Sequence, residues 1–241
     1  MNELQGQVVL VIGGSSGIGL ETARQARAAG AEVVLAARNR ERLESAAHEL
    51  QASHTAAFDA NDLNKLAQFF NDLSNPVDHV MLTAGGPVYM PLSSMNLDDA
   101  RRHFDQRLSV TLGTALFSRG KIRPGGSLLF IGGTGGRGAG VGLTIVATLT
   151  AALPALAANL ALELAPTRVN VVAPGFVDTP LSATLLGDQL DTRREQLRET
   201  LPIGRVVGPA DVAALAVHVM SNGAITGATL DIDGGQQFIA R

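Results

Sequence analysis

The residues of this 241-residue sequence best suited by type and spacing to chemistry are a cluster of glycines near its start. Gly13, Gly14, Gly17 and Gly19, with Ser15, Ser16 and Ile18 among them, follow the apolar run Val8-Val9-Leu10-Val11-Ile12. Such a run is expected to form a strand buried on both faces. The stretch Leu20 to Ala29 is amphipathic and rich in helix formers, with Gly30 as its stop. Strand, glycine-rich turn and helix are the first half of a dinucleotide-binding unit. Gly13 permits the turn off the strand, and Gly17 and Gly19 let backbone approach a pyrophosphate and the helix pack on the sheet. The helix N-terminus offers N–H groups and a partial positive charge to phosphate. An ordinary tight turn carries glycines too; placement between a buried strand and a helix favours the nucleotide.

A second apolar run, Glu32 to Ala37, leads into Arg38, Asn39 and Arg40. In NAD-selective sites an acid at this point binds the ribose hydroxyls. Ala37 followed by cations suits a 2′-phosphate instead, so NADP(H) is favoured over NAD(H), with Arg38 as the phosphate contact. Arg40 and Arg42 read as the solvated start of the next helix, which runs to Leu50.

The remaining elements alternate. Strands are expected at His54–Phe58, Val77–Leu82, Gly126–Ile131, Arg168–Ala173 and Thr229–Ile232, with helices between them, including Leu97–Ser118 and a long apolar helix over 143–165. Asp62 is read as an N-cap, and Pro209 sits in the first turn of the last helix. Asp59, at a strand end, either accepts from an adenine amino group or closes a turn.

The spacing Gly13-x-x-x-Gly17-x-Gly19 resembles that of the short-chain dehydrogenase/reductase family. The likeness continues through Ala84-Gly85, Pro174-Gly175-Phe176-Val177-Asp178-Thr179-Pro180 and Asp233-Gly234-Gly235, over essentially the whole chain. It implies an α/β fold, a Rossmann-type doubly wound parallel sheet in a single domain over 1–241, with the cofactor across the carboxyl ends of the strands. It also implies a cofactor-binding set of Gly13, Ser15, Ser16, Gly17, Ile18, Gly19, Arg38, Asp59, Ala60, Ala84, Gly85, Pro174, Gly175, Val177 and Thr179. In the family the loop at Pro174 wraps the nicotinamide, Thr179 contacts its carboxamide or the nearby phosphate, and residues 181–201 form a lid or substrate-binding segment. Thr83 departs from the family's asparagine.

The larger departure concerns acid–base chemistry. Family enzymes protonate the substrate oxygen with a tyrosine whose pKa a lysine four residues later lowers, while a serine hydrogen-bonds that oxygen. Aligned on Ala151-Ala152-Leu153 and on Phe130-Ile131-Gly132, the tyrosine slot holds Val146, the lysine slot Thr150, the serine slot Gly133 and the relay-asparagine slot Val110. The only tyrosine is Tyr89 and the only lysines are Lys65 and Lys121, so no slip of alignment restores the pair. Thr134 and Tyr89 are the remaining catalytic candidates, each with a plain alternative as a loop hydroxyl and a surface aromatic. The expected function is that of an NADP(H)-dependent oxidoreductase acting on a small carbonyl or activated-alkene compound with non-standard proton chemistry. The alternatives are a catalytically inactive dinucleotide-binding, sensing or partner protein, and, last, a purely structural one.

Composition narrows the field. A net charge of -3 and a pI near 5.9 give no electrostatic case for nucleic acid. With 0 cysteines there are no disulfides or thiolate metal sites, the histidines lack metal-ligand spacing, and no metal is expected. The N-terminus lacks the pattern of a secretory signal, and the expected location is cytoplasmic. The stretch from Leu143 to Leu164 is about long enough to span a bilayer, yet it contains Pro154, Asn159 and Glu163 and lacks basic or aromatic flanks. It is read as a helix buried between the sheet and a second subunit, giving a homodimer or homotetramer and no membrane contact.

Overall fold

The computed structural model describes residues 3–239. Its strands are β1 (Val8–Ile12), β2 (Glu32–Ala37), β3 (His54–Ala57), β4 (Val77–Leu82), β5 (Ile122–Ile131), β6 (Arg168–Pro174) and β7 (Thr229–Ile232). The helices are α1 (Gly17–Ala28), α2 (Arg40–Leu50), α3 (Leu63–Asp72), α4 (Leu97–Phe117), α5 (Thr144–Glu163), α6 (Pro180–Leu186), α7 (Leu190–Thr200) and α8 (Pro209–Ser221). The strands form one parallel sheet in the order β3-β2-β1-β4-β5-β6-β7. Parallel strands need crossover helices, and these cover both faces.

Alternation along each strand assigns residues to the two layers. Val9, Val11, Val33 and Leu35 pack with Ala23 and Ala26 of α1, Leu43 of α2 and Val212 and Ala216 of α8. Leu10, Ile12, Val34 and Ala36 pack on the other face with Leu66, Phe69 and Phe70 of α3, Val110 of α4, and Leu153 and Ala157 of α5. Each fully buried Leu or Phe contributes roughly 1.5–3 kcal/mol, so neither layer tolerates a register slip. Helix starts are fixed by side chains: Asn39 accepts from Arg42 N, Asp62 from Lys65 N at 3.2 Å, and Asn96 from both Asp98 N and Asp99 N.

Some boundaries differ from those read in the sequence. β5 begins at Ile122 rather than Gly126, because Ile122 already pairs with Val77 before an irregularity at Arg123-Pro124-Gly125, after which His79 pairs with Ser127. Residues 181–201 are almost wholly helical, in α6 and α7. Among the described residues, α5 is the one helix long and apolar enough to cross a membrane. It buries Ile145, Val146, Leu153 and Ala157, the last two in the core on the sheet, and leaves Ala151, Ala152, Ala155, Ala158 and Leu162 exposed on its outer side.

Candidate active site

Strand order reverses between β1 and β4, which opens a crevice at the carboxyl ends of the strands, the ligand position of open α/β sheets. The turn after β1 lies there. Gly13 has φ +97, a left-handed conformation, and its N–H donates to Ala36 O at 2.7 Å. A Cβ on Gly13 would overlap Thr83 Oγ1, and one on Gly19 would overlap Gly13 O. The helix start is thus pressed onto the turn with no room for a side chain. Thr83, in the family's asparagine position, donates its hydroxyl to Ile12 O at 3.1 Å and so ties the end of β4 to the end of β1. Ser16 is the extended N-cap of α1 and makes no side-chain cap, which leaves the first-turn N–H groups to a ligand.

The Pro174–Thr179 loop faces this turn. A Cβ on Gly17 would lie 3.6 Å from Thr179 Cβ. The loop is held from behind: Phe176 N donates to Gln236 Oε1 at 2.7 Å, Asp178 N donates to Val207 O at 3.0 Å, and Val177 bridges Val207. Thr179 caps α6 by accepting from Ser182 N. Gln236 and Arg194, which pairs with Asp178, support this loop and were not singled out from the sequence.

Arg38 leaves the end of β2 with its side chain 74% exposed and 3.8 Å from Asp59 Oδ2. Asp59 Oδ1 accepts from Asn61 N and Nδ2, each at 3.0 Å, so this aspartate does close a turn while its second oxygen faces Arg38. Ala60 beside it is buried. Arg40 pairs with Glu44 along the surface of α2, at 3.9 Å.

The slots assigned to the acid–base residues lie together. A Cβ on Gly133 would lie 3.3 Å from Thr150 Cγ2, and one on Gly135 3.7 Å from Val146 Cγ2. Thr150 Oγ1 turns back on its own helix, donating to Val146 O at 2.8 Å. Val110 is buried in the core under β4 and β5. Thr134 is 2% exposed and engaged within the fold. Tyr89 is 57% exposed, in a loop fastened to the segment before α5 by Met90 N donating to Gly142 O at 2.9 Å. Lys121 lies at the start of β5, donating to Asn71 O and Leu73 O, and Lys65 pairs with Asp62.

One charged side chain at the strand ends was missed in the sequence. Arg107, one turn before Val110 on α4, donates from Nη1 to Ala84 O at 3.0 Å and from Nη2 to Ile131 O. The signal was periodic: Ala100, Phe104, Arg107, Thr111 and Thr114 follow the inward face of the helix.

The chain is similar to known proteins over nearly its whole length. A family profile described as Enoyl-(Acyl carrier protein) reductase matches residues 12–237. The chain is 31% identical to a short-chain dehydrogenase/reductase of Stachybotrys chlorohalonatus, over 98% of each. It is similar to a small-chain dehydrogenase solved in complex with NADPH, at 26% identity and a TM-score of 0.83, covering 97% of this chain and 99% of that one. It is also similar to the MalC reductase/Diels-Alderase of Malbranchea aurantiaca, at 26% identity and a TM-score of 0.90, covering 99% of both.

Proposed function

This chain belongs to the short-chain dehydrogenase/reductase family, and from that premise we propose that it is an NADP(H)-dependent oxidoreductase of a small organic compound, a carbonyl or an activated alkene. The observation that carries the reading is the cradle after β1. Gly13 and Gly19 admit no side chain, Ser16 leaves the N-terminus of α1 uncapped, and the Thr179 loop stands opposite. These residues fit a pyrophosphate, and Arg38 supplies a cation for a 2′-phosphate. When bound, the dinucleotide supplies or accepts hydride.

The chain's own residues restrict what happens at the substrate. Val146 and Thr150 stand where the family places its acid and the lysine that tunes it, and Thr150 spends its hydroxyl on its own helix. An acceptor whose oxygen needs no protein acid suits this site, and an alkene conjugated to a carbonyl is such an acceptor, since water can protonate the carbon. The same Val146 and Thr150 favour a second reading, a dinucleotide-binding protein without turnover. In either case the exposed outer side of α5 suits a homo-oligomer.

Calorimetric titration with NADPH and NADH tests the proposal. NADPH is expected to bind more tightly than NADH; binding of neither would refute the function. With NADPH binding in hand, a screen of ketones and conjugated enones separates turnover from binding alone.

A further inference from the structure

We propose that Arg107 is the residue that holds the substrate's oxygen, binding a carbonyl oxygen or a carboxylate at the carboxyl ends of β4 and β5. The inference rests on the dinucleotide-dependent function above.

A guanidinium has five N–H donors in a fixed fork. Arg107 directs Nη1 to Ala84 O and Nη2 to Ile131 O, and among the described residues no carboxylate pairs with it. Arg168 shows what a purely structural arginine looks like in this fold. Its Nε donates to Gly125 O, Nη1 to Val219 O and Ile225 O, and Nη2 to Met220 O, so its guanidinium is spread over four carbonyls, two of them on the last turn of α8. Among the described residues Arg107 has half as many acceptors and retains donors to offer. Burial alone pushes its pKa down, yet an arginine stays charged. A part-buried cation without a counter-ion is costly, and an anionic or strongly polarised oxygen would remove that cost.

Its place gives the cation a use. A Cβ on Gly85 would come within 2.9 Å of Nη1, so only a residue without a side chain leaves that approach open. Ile131, the other anchor, is two residues before Gly133, which faces Thr150. Arg107 is thus anchored on the strand end that continues into Gly133, the position aligned with the family's serine. A guanidinium donates two parallel hydrogen bonds to a carboxylate and stabilises negative charge on oxygen, but it gives up no proton near neutral pH. The matching ligand has an oxygen whose charge is delocalised, as in a conjugated carbonyl or carboxylic compound. Its remainder is apolar: a Cβ on Gly86 would lie 3.3 Å from Leu181 Cδ2, and Leu185 and Tyr89 are exposed nearby in sequence on the same two segments.

Benzoate is a suitable probe, titrated calorimetrically into the full chain saturated with NADP+. Wild type is expected to bind it, and Arg107→Met to weaken binding by about tenfold or more while NADP+ affinity holds. Failure to bind NADP+ would refute the function and this inference together. Binding of NADP+ without benzoate, or equal benzoate affinity in Arg107→Met, would overturn the Arg107 assignment alone. Should Arg107→Met not fold, wild type labelled with 15N-arginine decides the matter, with the Arg107 side-chain signals identified by their loss in Arg107→Lys. Benzoate must shift those signals; signals that stay in place overturn the proposal.

Discussion

Asp178 and Arg194 form a two-point ion pair, Nε to Oδ2 at 2.9 Å and Nη2 to Oδ1 at 2.7 Å. Asp178 belongs to the loop opposite the glycine-rich turn, and Arg194 to α7. The pair therefore couples the Pro174–Thr179 loop to α7. Arg194 Nη1 also meets Asp191 at 2.8 Å, which fixes the guanidinium on its own helix. Both partners are part-exposed, so the pair contributes little to global stability. Asp178→Asn is expected to speed hydrogen exchange several-fold across α6 and α7 while the melting temperature changes little. Unchanged exchange in those helices would show that the pair does not hold them.

Arg38 sets the second prediction. Among the described residues its exposed side chain pairs with Asp59 alone, at 3.8 Å, a distance that leaves it able to turn to a 2′-phosphate. A charge-assisted contact of that kind makes a difference of about tenfold or more in affinity. Arg38→Ala should raise the Kd for NADPH by that factor and leave that for NADH nearly unchanged, as measured by calorimetry. An equal effect on both nucleotides would remove the basis for NADP(H) preference.

The glycine turn and the parallel strands were legible because each rests on a local pattern. The run Val8–Ile12 is apolar on both faces, and β2 has the bounds Glu32–Ala37 that its composition implies. The start of β5 was not legible, since Pro124-Gly125 reads as a turn although Ile122 already pairs with Val77. Arg107 was harder. It lies among the charges Arg101, Arg102 and Asp105, and only the three-dimensional path of α4 shows that those point outward while Arg107 reaches Ala84 and Ile131. The sequence itself holds one tyrosine, Tyr89, and two lysines, Lys65 and Lys121, neither of the lysines four residues after the tyrosine.

His79 makes acid stability testable. It is buried between Ser127 Oγ, 2.8 Å from Nδ1, and Gln7 Oε1, 2.6 Å from Nε2. Burial, with a smaller push from the Arg168 charge, lowers its pKa from 6.5 to about 4, against a weaker opposing pull from Asp78. Between those values the unfolded chain binds a proton that the folded chain does not, so stability rises with pH across the window. The contribution is complete above about pH 6.5 and is lost as pH falls towards 4, a change of about 3 kcal/mol. His79→Gln keeps groups able to meet Ser127 and Gln7 but cannot titrate. Urea unfolding at pH 7 and pH 4.5 should show a smaller difference for the variant than for wild type; equal differences would rule His79 out as the source.

The outer side of α5 and its neighbour α4 carry the last prediction. Leu112 and Leu116 on α4 are about half exposed, and Leu162 on α5 is 81% exposed. On α5, Ala151, Ala152, Ala155 and Ala158 add exposed small side chains on which another helix can lie closely. An apolar helix pair left in water costs roughly 25 cal/mol for each Å² of apolar surface, and a second copy of the same pair removes that cost around a two-fold axis. A charge at the centre of such an interface would be buried without a partner. Leu116→Asp is therefore expected to shift the chain to a smaller species in size-exclusion chromatography with light scattering, with its circular dichroism unchanged. A wild type that is already monomeric at micromolar concentration would dismiss the homo-oligomer, and an unaffected oligomer in Leu116→Asp would move the interface to another surface.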